Sequence, residues 1–399
     1  GNAGGAIAGP PSVTVQDNFG NTVTSSSESI TIAIGTNPAG GSLNGTLTIN
    51  ATSGVASFSN LSVNKSGAGY TLTASATGLT GATSGGFNIT AGAATKLAYI
   101  TAPGNSTAGN TIAGPPTVTV QDSFGNTVTS SIASITVAIG MNPGSGTLSG
   151  TTTKNAVSGV ANFNDLSVEK SGTGYTLAAS ATGLTGATSS AFNVSAGAAN
   201  KLAFSVQPGN AGTGVALPGP PTIVVQDGFG NTVTSSTASI TAAIASNPGG
   251  GVLTGTTTRN ASSGVAVFTG LSITPPGTGY SLSAASSGLT SATSNAFNIT
   301  AASVTLSATP ASVSAGDSFL VAWGQISTPT NRDWIGLYAP GTSDTSYISY
   351  RYVNCSSSPT VPIASGTCSF PISSSQSPGT YEFRLFPNDT YTRIATSNA

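Results

Sequence analysis

The acidic residues of one repeated turn are the first side chains in this sequence that could carry chemistry. Asp17, Asp122 and Asp227 each stand four residues before an asparagine, so carboxylate and amide oxygens are available to calcium. A calcium ion takes six to eight oxygens, and one carboxylate per turn supplies few of them. The favoured alternative is that each Asp accepts hydrogen bonds from backbone N–H groups of a tight glycine-containing turn. We therefore expect neither a metal nor a cofactor.

The two cysteines form a second candidate pair. Cys355 and Cys368 have twelve residues between them, which fits a hairpin or loop closed by a disulfide in an extracellular protein. The chain-entropy model gives a loop of this size about 3 kcal/mol of stabilisation. A metal or redox pair would need a closer spacing or further ligands. The spacing therefore predicts a disulfide.

Aromatic residues of the last hundred positions are the third candidates. Exposed aromatic rings stack on sugars or grip protein partners, whereas aromatic residues on strands are more often core. Trp334 lies in an alternating apolar run, and we expect it in the core. Tyr347, Tyr350, Tyr352 and the Arg351 between them are candidates for a partner-binding surface that takes glycans or another cell surface.

Composition excludes several classes of function. The chain has 399 residues, 10 basic and 11 acidic side chains and no His. Without clustered Lys and Arg there is no electrostatic footprint for nucleic acid, and without His there is no His-dependent triad. No uninterrupted apolar stretch is long enough to span a membrane as a helix. Nothing singles out a pair of catalytic carboxylates. We expect no enzyme, no catalytic residue and no nucleic-acid partner.

An internal repeat organises most of the chain. The string Gln-Asp-x-Phe-Gly-Asn-Thr-Val-Thr-Ser begins at Gln16, Gln121 and Gln226, which are 105 residues apart. Beyond residue 301 the composition changes, since both Trp, both Cys and six of the ten Tyr lie there. The sequence predicts four domains, which we name repeat 1 (1–91), repeat 2 (92–196), repeat 3 (197–301) and the C-terminal segment (302–399).

Alternating apolar and small polar residues within each repeat predict strands, and no segment has helical periodicity. Seven or so short strands per hundred residues, without βαβ spacing, indicate antiparallel two-sheet sandwiches. The predicted fold class is all-β, with four tandem immunoglobulin-like sandwiches in a linear array. Positions that are apolar in all three repeats should form the cores, among them Ile30, Ile135, Ile240, Leu43, Leu148, Leu253, Phe58, Phe163 and Phe268.

The repeats resemble the tandem bacterial immunoglobulin-like modules of prokaryotic surface proteins. The likeness rests on the Asp-x-x-Gly-Asn turn, the Gly-Val-Ala-Ser-Phe strand at 54–58 and the Gly-Tyr-x-Leu-x-Ala strand at 69–74. The C-terminal segment contains Asp-Trp-Ile-Gly-Leu-Tyr at 333–338 and Gly-Thr-Tyr-Glu-Phe-Arg-Leu at 379–385. These two strings resemble small accessory sandwiches, including the non-catalytic leading domain of purple acid phosphatases. The first resemblance implies spacers, stalks and fibres, and neither implies a catalytic residue.

Both end domains are expected to lack a strand. Repeats 2 and 3 begin with apolar segments at 96–100 and 201–206, and the same register would place the equivalent of repeat 1 before Gly1. The chain stops at Thr-Ser-Asn-Ala (396–399), which echoes 293–296, where repeat 3 continues into a closing strand at 297–300. Either the sequence is an excerpt of a longer chain, or a neighbouring copy donates the strand. An incomplete sandwich is a template for a strand from elsewhere.

These observations predict an extracellular structural protein. We expect a subunit or segment of a prokaryotic filament or cell-surface stalk that assembles head to tail with copies of itself, with strand donation as one route. The alternatives are an adhesin in which the C-terminal segment binds the ligand and the repeats are spacers, and the non-catalytic tail of a secreted enzyme. Asn-x-Ser/Thr sequons recur along the chain, and attached sugars would help to hydrate a surface with so little charge.

Overall fold

The structure is a computed structural model that describes residues 1–326 and 328–398. None of these described residues lies in a helix, and within them no helix is long and apolar enough to cross a membrane. The chain divides into two compact units, of which the first is Gly1–Ala199 with Gln226–Val233 and the second is Asn200–Val225 with Thr234–Ala399. The turn of repeat 3 that carries the Asp-x-x-Gly-Asn motif thus belongs to the first unit.

Repeat 1 consists of ten short strands. They are β1 Ser12–Thr14, β2 Ser29–Ile34, β3 Leu43–Asn44, β4 Thr48–Asn50, β5 Val55–Ser57, β6 Ser62–Val63, β7 Gly67–Tyr70, β8 Leu72–Ser75, β9 Ala82–Thr83 and β10 Phe87–Ile89. The sheets have the orders β4-β2-β8-β9, β1-β5, β10-β7 and β3-β6. Val13 of β1 is half-buried, since β1 has a strand partner on one side only.

Repeat 2 has the same plan with two more strands. They are β11 Lys96–Thr101, β12 Ser106–Thr107, β13 Thr117–Gln121, β14 Ser134–Ile139, β15 Leu148–Ser149, β16 Thr153–Asn155, β17 Val160–Asn162, β18 Ser167–Val168, β19 Gly172–Tyr175, β20 Leu177–Ser180, β21 Ala187–Thr188 and β22 Phe192–Ser195. β11 completes a three-stranded sheet, β11-β13-β17, which repeat 1 has only as the pair β1-β5. The other sheets are β16-β14-β20-β21, β12-β22-β19 and β15-β18.

Repeat 3 fuses two of these sheets. Its strands are β23 Lys201–Val206, β24 Ala211–Gly212, β25 Thr222–Gln226, β26 Ser239–Ser246, β27 Val252–Thr254, β28 Thr258–Asn260, β29 Val265–Val267, β30 Ser272–Thr274, β31 Gly277–Ala285, β32 Ala292–Thr293 and β33 Phe297–Thr300. β31 is long enough to pair with both β26 and β33, which gives the order β24-β33-β31-β26-β28. The first sheet keeps the order β23-β25-β29.

The C-terminal segment has longer strands and two sheets. They are β34 Thr305–Thr309, β35 Ser318–Gly324, β36 Trp334–Tyr338, β37 Ser349–Tyr352, β38 Gly366–Pro371, β39 Glu382–Phe386 and β40 Ala395–Thr396. One sheet has the order β34-β35-β38 and the other β37-β36-β39-β40, with every pair antiparallel. Ile335 and Leu385, on opposed strands of the second sheet, face the core between the two sheets.

The sequence prediction of antiparallel immunoglobulin-like β-sandwiches is confirmed. Separate clusters of buried residues lie within 3–89, 97–194 and 306–385. The apolar positions shared by the repeats fill these interiors, because the strand alternation turns every second side chain inward. The predicted Ile and Phe core positions are at most 2% exposed, namely Ile30, Ile135, Ile240, Phe58, Phe163 and Phe268. The predicted leucines are half-buried, namely Leu43, Leu148 and Leu253.

Candidate binding surfaces and repeat junctions

The repeated Asp-x-x-Gly-Asn turn forms a junction between repeats 1 and 2. Asp122 Oδ1 accepts hydrogen bonds from the amides of Phe124 and Asn126, both at 2.9 Å. Its Oδ2 accepts from Asn126 Nδ2 at 2.8 Å and from the amide of Gly92, in the linker that follows repeat 1, also at 2.8 Å. N–H donors thus surround both oxygens of Asp122, as the turn interpretation predicts and unlike a calcium ligand.

Asn126 connects this turn to the loop of repeat 1 that follows β6. Its Nδ2 donates to the carbonyl of Asn64 at 3.0 Å, and its Oδ1 accepts from the amide of Ser66 at 3.1 Å. Lys65 Nζ donates to the carbonyl of Phe124 at 3.0 Å. Since one asparagine side chain bridges the two repeats, we call this set of contacts the clasp.

The same clasp recurs one repeat later within the first compact unit. Asp227 Oδ2 accepts from the amide of Gly197 at 2.8 Å, and Asn231 Nδ2 donates to the carbonyl of Glu169 at 2.8 Å. Lys170 Nζ donates to the carbonyl of Phe229 at 2.7 Å. The motif that sequence analysis treated as a turn is therefore also a contact between neighbouring repeats.

The first copy of the turn has the same internal geometry but is exposed. Asp17 accepts from the amides of Phe19 and Asn21 at 2.9 Å and from Asn21 Nδ2 at 3.0 Å. Phe19 is 91% exposed, whereas Phe124 is 43% exposed because its ring lies over Gly4 of repeat 1. Among the described residues, no group of three or more His, Cys, Asp or Glu side chains could hold a metal ion.

Hydrogen bonding sets the charge state of these carboxyls. Burial of Asp122 acts to raise its pKa, but the hydrogen bonds from Asn126, Gly92 and Phe124 outweigh it and hold the pKa below its usual range. The same balance lowers the pKa of Asp227. At Asp17 the hydrogen bond from the Asn21 side chain is the largest cause of a lowered pKa.

The predicted disulfide is corrected by the structure, in which both cysteines are free thiols. Cys355 Sγ donates to the carbonyl of Thr367 at 3.4 Å. Cys368 is buried in the core, and its burial, followed by the hydrogen bond and charge of the Cys355 thiol, raises its pKa to about 12. The two thiols are therefore neighbours, and burial favours the protonated form of Cys368.

Three of the four predicted partner-binding residues come together in the C-terminal segment. Tyr350 and Tyr352 lie on β37 opposite Gly336 and Trp334, on the face of the sheet that points away from the core, and Tyr347 precedes them in the chain. Tyr347 and Tyr350 are each 40% exposed. The three tyrosines therefore form one surface, as the sequence predicts.

Arg351 does not belong to this surface, which corrects the fourth assignment. Successive residues of a strand point to opposite faces, so Arg351 faces the other way from Tyr350 and Tyr352. It stands opposite Ile335, a core residue, and its Nη1 donates to the carbonyl of Cys355 at 2.8 Å.

The sequence interpretation missed two members of the aromatic surface and the place of a third. Trp334 is only 5% exposed, but it lies on the outer face, where it stacks on Phe386 at 4.4 Å between ring centroids. Tyr391 and Asp389, from the loop after β39, complete a pocket of about 180 Å³ with Trp334 and the three tyrosines. The sequence signal for Asp389 and Tyr391 was the string Asn-Asp-Thr-Tyr at 388–391, which follows a strand. The fold is needed to show that this loop lies beside β37.

The outer face also carries a charged cluster. Arg384 is 2% exposed, its Nη2 pairs with Glu382 Oε1 at 2.6 Å, and its Nη1 pairs with Asp344 Oδ1 at 2.7 Å. Its guanidinium lies 4.3 Å from the centroid of the Tyr338 ring. Glu382 and Arg384 are two apart on one strand and so share a face, where they form a fully paired structural network.

A groove of about 510 Å³ runs along one edge of the C-terminal segment. Residues 310–315 line one wall and residues 376–381 the other, with Phe319 and Phe383 between them. Tyr381 is half-buried there, whereas Tyr280 of repeat 3 is fully buried and packs against Phe297 of β33. The groove thus exposes an aromatic side chain that the closing strand covers in the repeats.

Hydrogen bonds at Ser397 place this groove in register with repeat 3. The amide of Phe383 donates to Ser397 Oγ at 2.9 Å and its carbonyl accepts from the Ser397 amide at 2.8 Å. Leu282 and Ser294 make the same two bonds at 2.9 and 2.8 Å. In repeat 3 the residues after Ser294 form β33, so the groove lies where that strand would follow Ser397.

No family model matches the chain. A stretch of 73 residues is 34% identical to probable inactive purple acid phosphatase 9 of Arabidopsis thaliana, and the match covers 18% of this chain and 11% of that protein. The chain therefore spans about a tenth of the length of the curated relative that it matches. A match over so short a stretch does not assign the relative's activity to this chain.

Solved structures with a similar fold include two proteins of Yersinia pseudotuberculosis. Yersinia pseudotuberculosis InvD is 17% identical, over 72% of this chain and 91% of that one, with a TM-score of 0.28. The Yersinia pseudotuberculosis adhesin InvE is 18% identical, over 56% of this chain and 66% of that one, with a TM-score of 0.23. Similarity at this level concerns the β-sandwich fold and transfers no binding partner.

The comparisons correct the expectation that the chain is not an enzyme. A β-glycosidase from Bacteroides vulgatus is among the similar structures, at 14% identity over 52% of this chain and 25% of the glycosidase, with a TM-score of 0.24. Similarity at this level neither shows nor excludes an enzymatic role. The same low similarity assigns no reaction and no catalytic residue to this chain.

Proposed function

We propose that this chain is a structural segment of an extracellular prokaryotic surface assembly, in which sandwiches at 1–91, 92–196, 197–301 and 302–399 join to neighbouring copies through β-strand addition. The observation that carries the proposal is the groove of the C-terminal segment. It is lined by Phe319, Tyr381 and Phe383, and it lies in the register of β33.

The groove favours an incoming strand over a small molecule for a physical reason. Its wall at 376–381 corresponds to the part of β31 that pairs with β33 in repeat 3. A strand placed there gains main-chain hydrogen bonds along its length and inserts alternate side chains into the apolar floor. The sequence Phe-Asn-Ile-Thr of β33 has that alternation, with Phe297 and Ile299 at most 3% exposed.

The clasp and the exposed edges of repeat 1 support the same proposal. Two successive junctions use one set of contacts, which is how a tandem structural array is built from identical units. At the other end of the chain, β1 keeps a free edge and Phe19 is uncovered. In repeat 2 the equivalent edge is paired with β11, and the equivalent ring, Phe124, lies over Gly4.

The proposal is tested by appending Phe-Asn-Ile-Thr directly after Ala399 of the full chain. The extension should fill the groove and raise the free energy of unfolding of the C-terminal segment by about 3–6 kcal/mol, the value for burying one Phe and one Ile. The matched control is Ala-Asn-Ala-Thr, which keeps the backbone but lacks both large side chains. Equal thermal transitions for the two extensions would contradict the proposal.

Assembly gives the second readout of the same variants. Copies whose groove is filled by their own extension should no longer form end-to-end assemblies in electron micrographs, whereas the Ala-Asn-Ala-Thr control should still form them. A free peptide of residues 294–300 should bind the unextended chain and fail to bind the chain with Phe-Asn-Ile-Thr. If that peptide binds both chains equally, the groove is not the strand-accepting site.

Adhesion is a second candidate function, and the aromatic surface is the observation that favours it. Tyr347, Tyr350 and Tyr391 are between 40% and 48% exposed around a pocket on the outer face of a sheet. Exposed, clustered aromatic rings are typical of recognition surfaces. In this version of the function the repeats carry the C-terminal segment away from the surface to which the chain is attached.

A further inference from the structure

The aromatic pocket has a shape that identifies the chemistry of its ligand. Trp334, Tyr347, Tyr350, Tyr352, Tyr391 and Asp389 line it, and its volume is about 180 Å³. Five of these six side chains are aromatic, and the sixth is a carboxylate. The pocket lies within the second compact unit and does not use the groove.

The rings stand as walls around a floor. Tyr347, Tyr350 and Tyr391 make angles of 70°, 79° and 81° with the Trp334 ring, at centroid distances of 5.6, 5.9 and 5.7 Å. Tyr352 is in turn at 86° to Tyr350, with 5.9 Å between their centroids. Rings at these angles border the pocket on several sides.

This arrangement differs from a sugar-stacking platform. A platform needs a broad, exposed ring face, and the largest ring here is only 5% exposed and is covered on one side by Phe386, at 4.4 Å and 20°. The pocket of about 180 Å³ is bordered by aromatic rings on several sides, and the π density of such rings attracts a substituted ammonium group.

The charged group of the pocket has the sign that a cation requires. Asp389 is the only charged side chain among the described lining residues. Its Oδ1 accepts from the Tyr352 hydroxyl at 3.0 Å, which fixes that ring, and its Oδ2 pairs with Arg332 at 2.7 Å. The Arg332 side chain is 57% exposed and lies outside the lining, so of this ion pair only the Asp389 carboxylate faces the pocket.

We propose that this pocket binds a quaternary or methylated ammonium group. The attraction comes from the rings of the four tyrosines around the pocket and from the carboxylate of Asp389 in its lining. The inference rests on the second candidate function, recognition by the aromatic surface, and names its ligand class. Its failure would leave strand acceptance by the groove untouched, because the two sites share no lining residue.

Choline and its neutral carbon isostere, 3,3-dimethylbutan-1-ol, separate charge from shape. In calorimetric or NMR titrations of the full chain, choline should bind about tenfold more tightly than the isostere, as expected for about 1.4 kcal/mol of cation–π attraction. Tetramethylammonium should compete with choline. Equal binding of choline and the isostere, or binding of neither, would overturn the proposal.

Ring variants locate the site. Tyr350→Ala and Tyr391→Ala should each weaken choline binding about tenfold, whereas Tyr350→Phe, which keeps the ring, should change it less than about twofold. Phe19→Ala, at an exposed aromatic residue of repeat 1, is the matched control. Circular dichroism melts of each variant check that the fold is kept, and unchanged binding by folded Tyr350→Ala and Tyr391→Ala would refute the site.

Comparing choline headgroups on vesicles with free choline identifies the source of the ammonium group. Vesicles of phosphatidylcholine should retain the chain, and vesicles of phosphatidylglycerol should not, if a lipid headgroup is the natural ligand. Binding of free choline without vesicle retention would assign the pocket to a soluble or polymer-attached ammonium compound. Binding of neutral oligosaccharides that Tyr350→Ala abolishes, with no choline binding, would contradict the ammonium proposal in favour of a glycan.

Discussion

Asp122 remains charged in an almost fully buried position because four N–H donors point at its two oxygens. Its residue is 1% exposed, and Asp227 at the next junction is equally buried. Hydrogen bonds to a carboxylate favour the charged form and can outweigh the cost of desolvation. A single side chain therefore closes its own turn and holds the linker of the preceding repeat at Gly92.

The lowered pKa values make the first compact unit sensitive to acid. These carboxyls have a lower pKa in the folded state than in the unfolded state, where it is about 3.9. They therefore stabilise the fold above the unfolded pKa, and this stabilisation is lost as the pH falls through the folded pKa. We expect the melting temperature to be flat from about pH 5 to pH 8, since the chain has no His, and to fall below about pH 4.

Asp122→Asn with Asp227→Asn is the matched test of this pH dependence. The double variant should be less stable at pH 7 and should show a smaller loss between pH 5 and pH 3, because the titrating groups have gone. Differential scanning calorimetry over that range measures both effects. A double variant that keeps the full acid sensitivity would assign the effect to other carboxyls.

At the scale of elements, the clasp explains why one turn is repeated almost without change. Stacked copies of the sequence show that Gln-Asp-x-Phe-Gly-Asn recurs, and in each copy the Asn side chain donates to the Asp carboxylate within the turn. The Asn126 side chain has a second role, because it also bonds the neighbouring repeat at Asn64 and Ser66. Sequence reasoning assigned the motif to local geometry because the loop it contacts lies about 60 residues earlier in the chain.

Removing the clasp side chain in two places tests that explanation. Asn126→Ala deletes the bonds within the turn and those to repeat 1, whereas Asn21→Ala deletes only the bond within an exposed turn. We expect Asn126→Ala to cost about 1–3 kcal/mol of stability, the usual effect of leaving buried hydrogen-bonding groups unpaired, and Asn21→Ala to cost less. Hydrogen exchange of the Gly92 and Ser66 amides should accelerate only in Asn126→Ala.

If both variants accelerated exchange at Gly92 and Ser66 equally, the bridge would not be the cause. If neither variant did, the linker and the loop would be held by other contacts, and the clasp hydrogen bonds would not stabilise the junction. Either outcome would reduce the repeated Asn to a turn residue. The comparison uses full chains in both cases, so that the neighbouring repeat is always present.

Strand alternation decided which sequence predictions were correct. The Ile and Phe cores were predicted from apolar identity across the three repeats, and alternation on a half-buried sheet explains both these cores and the outward position of Tyr350 and Tyr352. Arg351 was grouped with its neighbours Tyr350 and Tyr352 although alternation sends it to the opposite face. Trp334 was assigned to the core because an apolar run does not tell which face of a sheet carries a second aromatic layer. The free thiols depend on side-chain packing that spacing does not report.

At the scale of the molecule, the scarcity of charge is the dominant property. Only 21 of 399 side chains are acidic or basic, and nine of these lie in the C-terminal segment, where most of them are paired. Contacts between copies through a strand and an apolar groove would use backbone hydrogen bonds and buried rings. Neither kind of interaction depends strongly on ionic strength.

Assembly through the groove should therefore be nearly independent of salt. We expect the length of assemblies in electron micrographs, and their light scattering, to change less than about twofold between 0.05 and 1 M NaCl at pH 7, because screening acts on charges and few charges face the groove. Apolar association strengthens slightly with excluded salts such as sulfate. An assembly held instead by ion pairs, for example through an exposed Asp17 turn and a lysine of the next copy, would dissociate as salt rises. The variant with the appended Phe-Asn-Ile-Thr separates the two cases, since it should block the groove-dependent assembly and leave an ion-paired one intact.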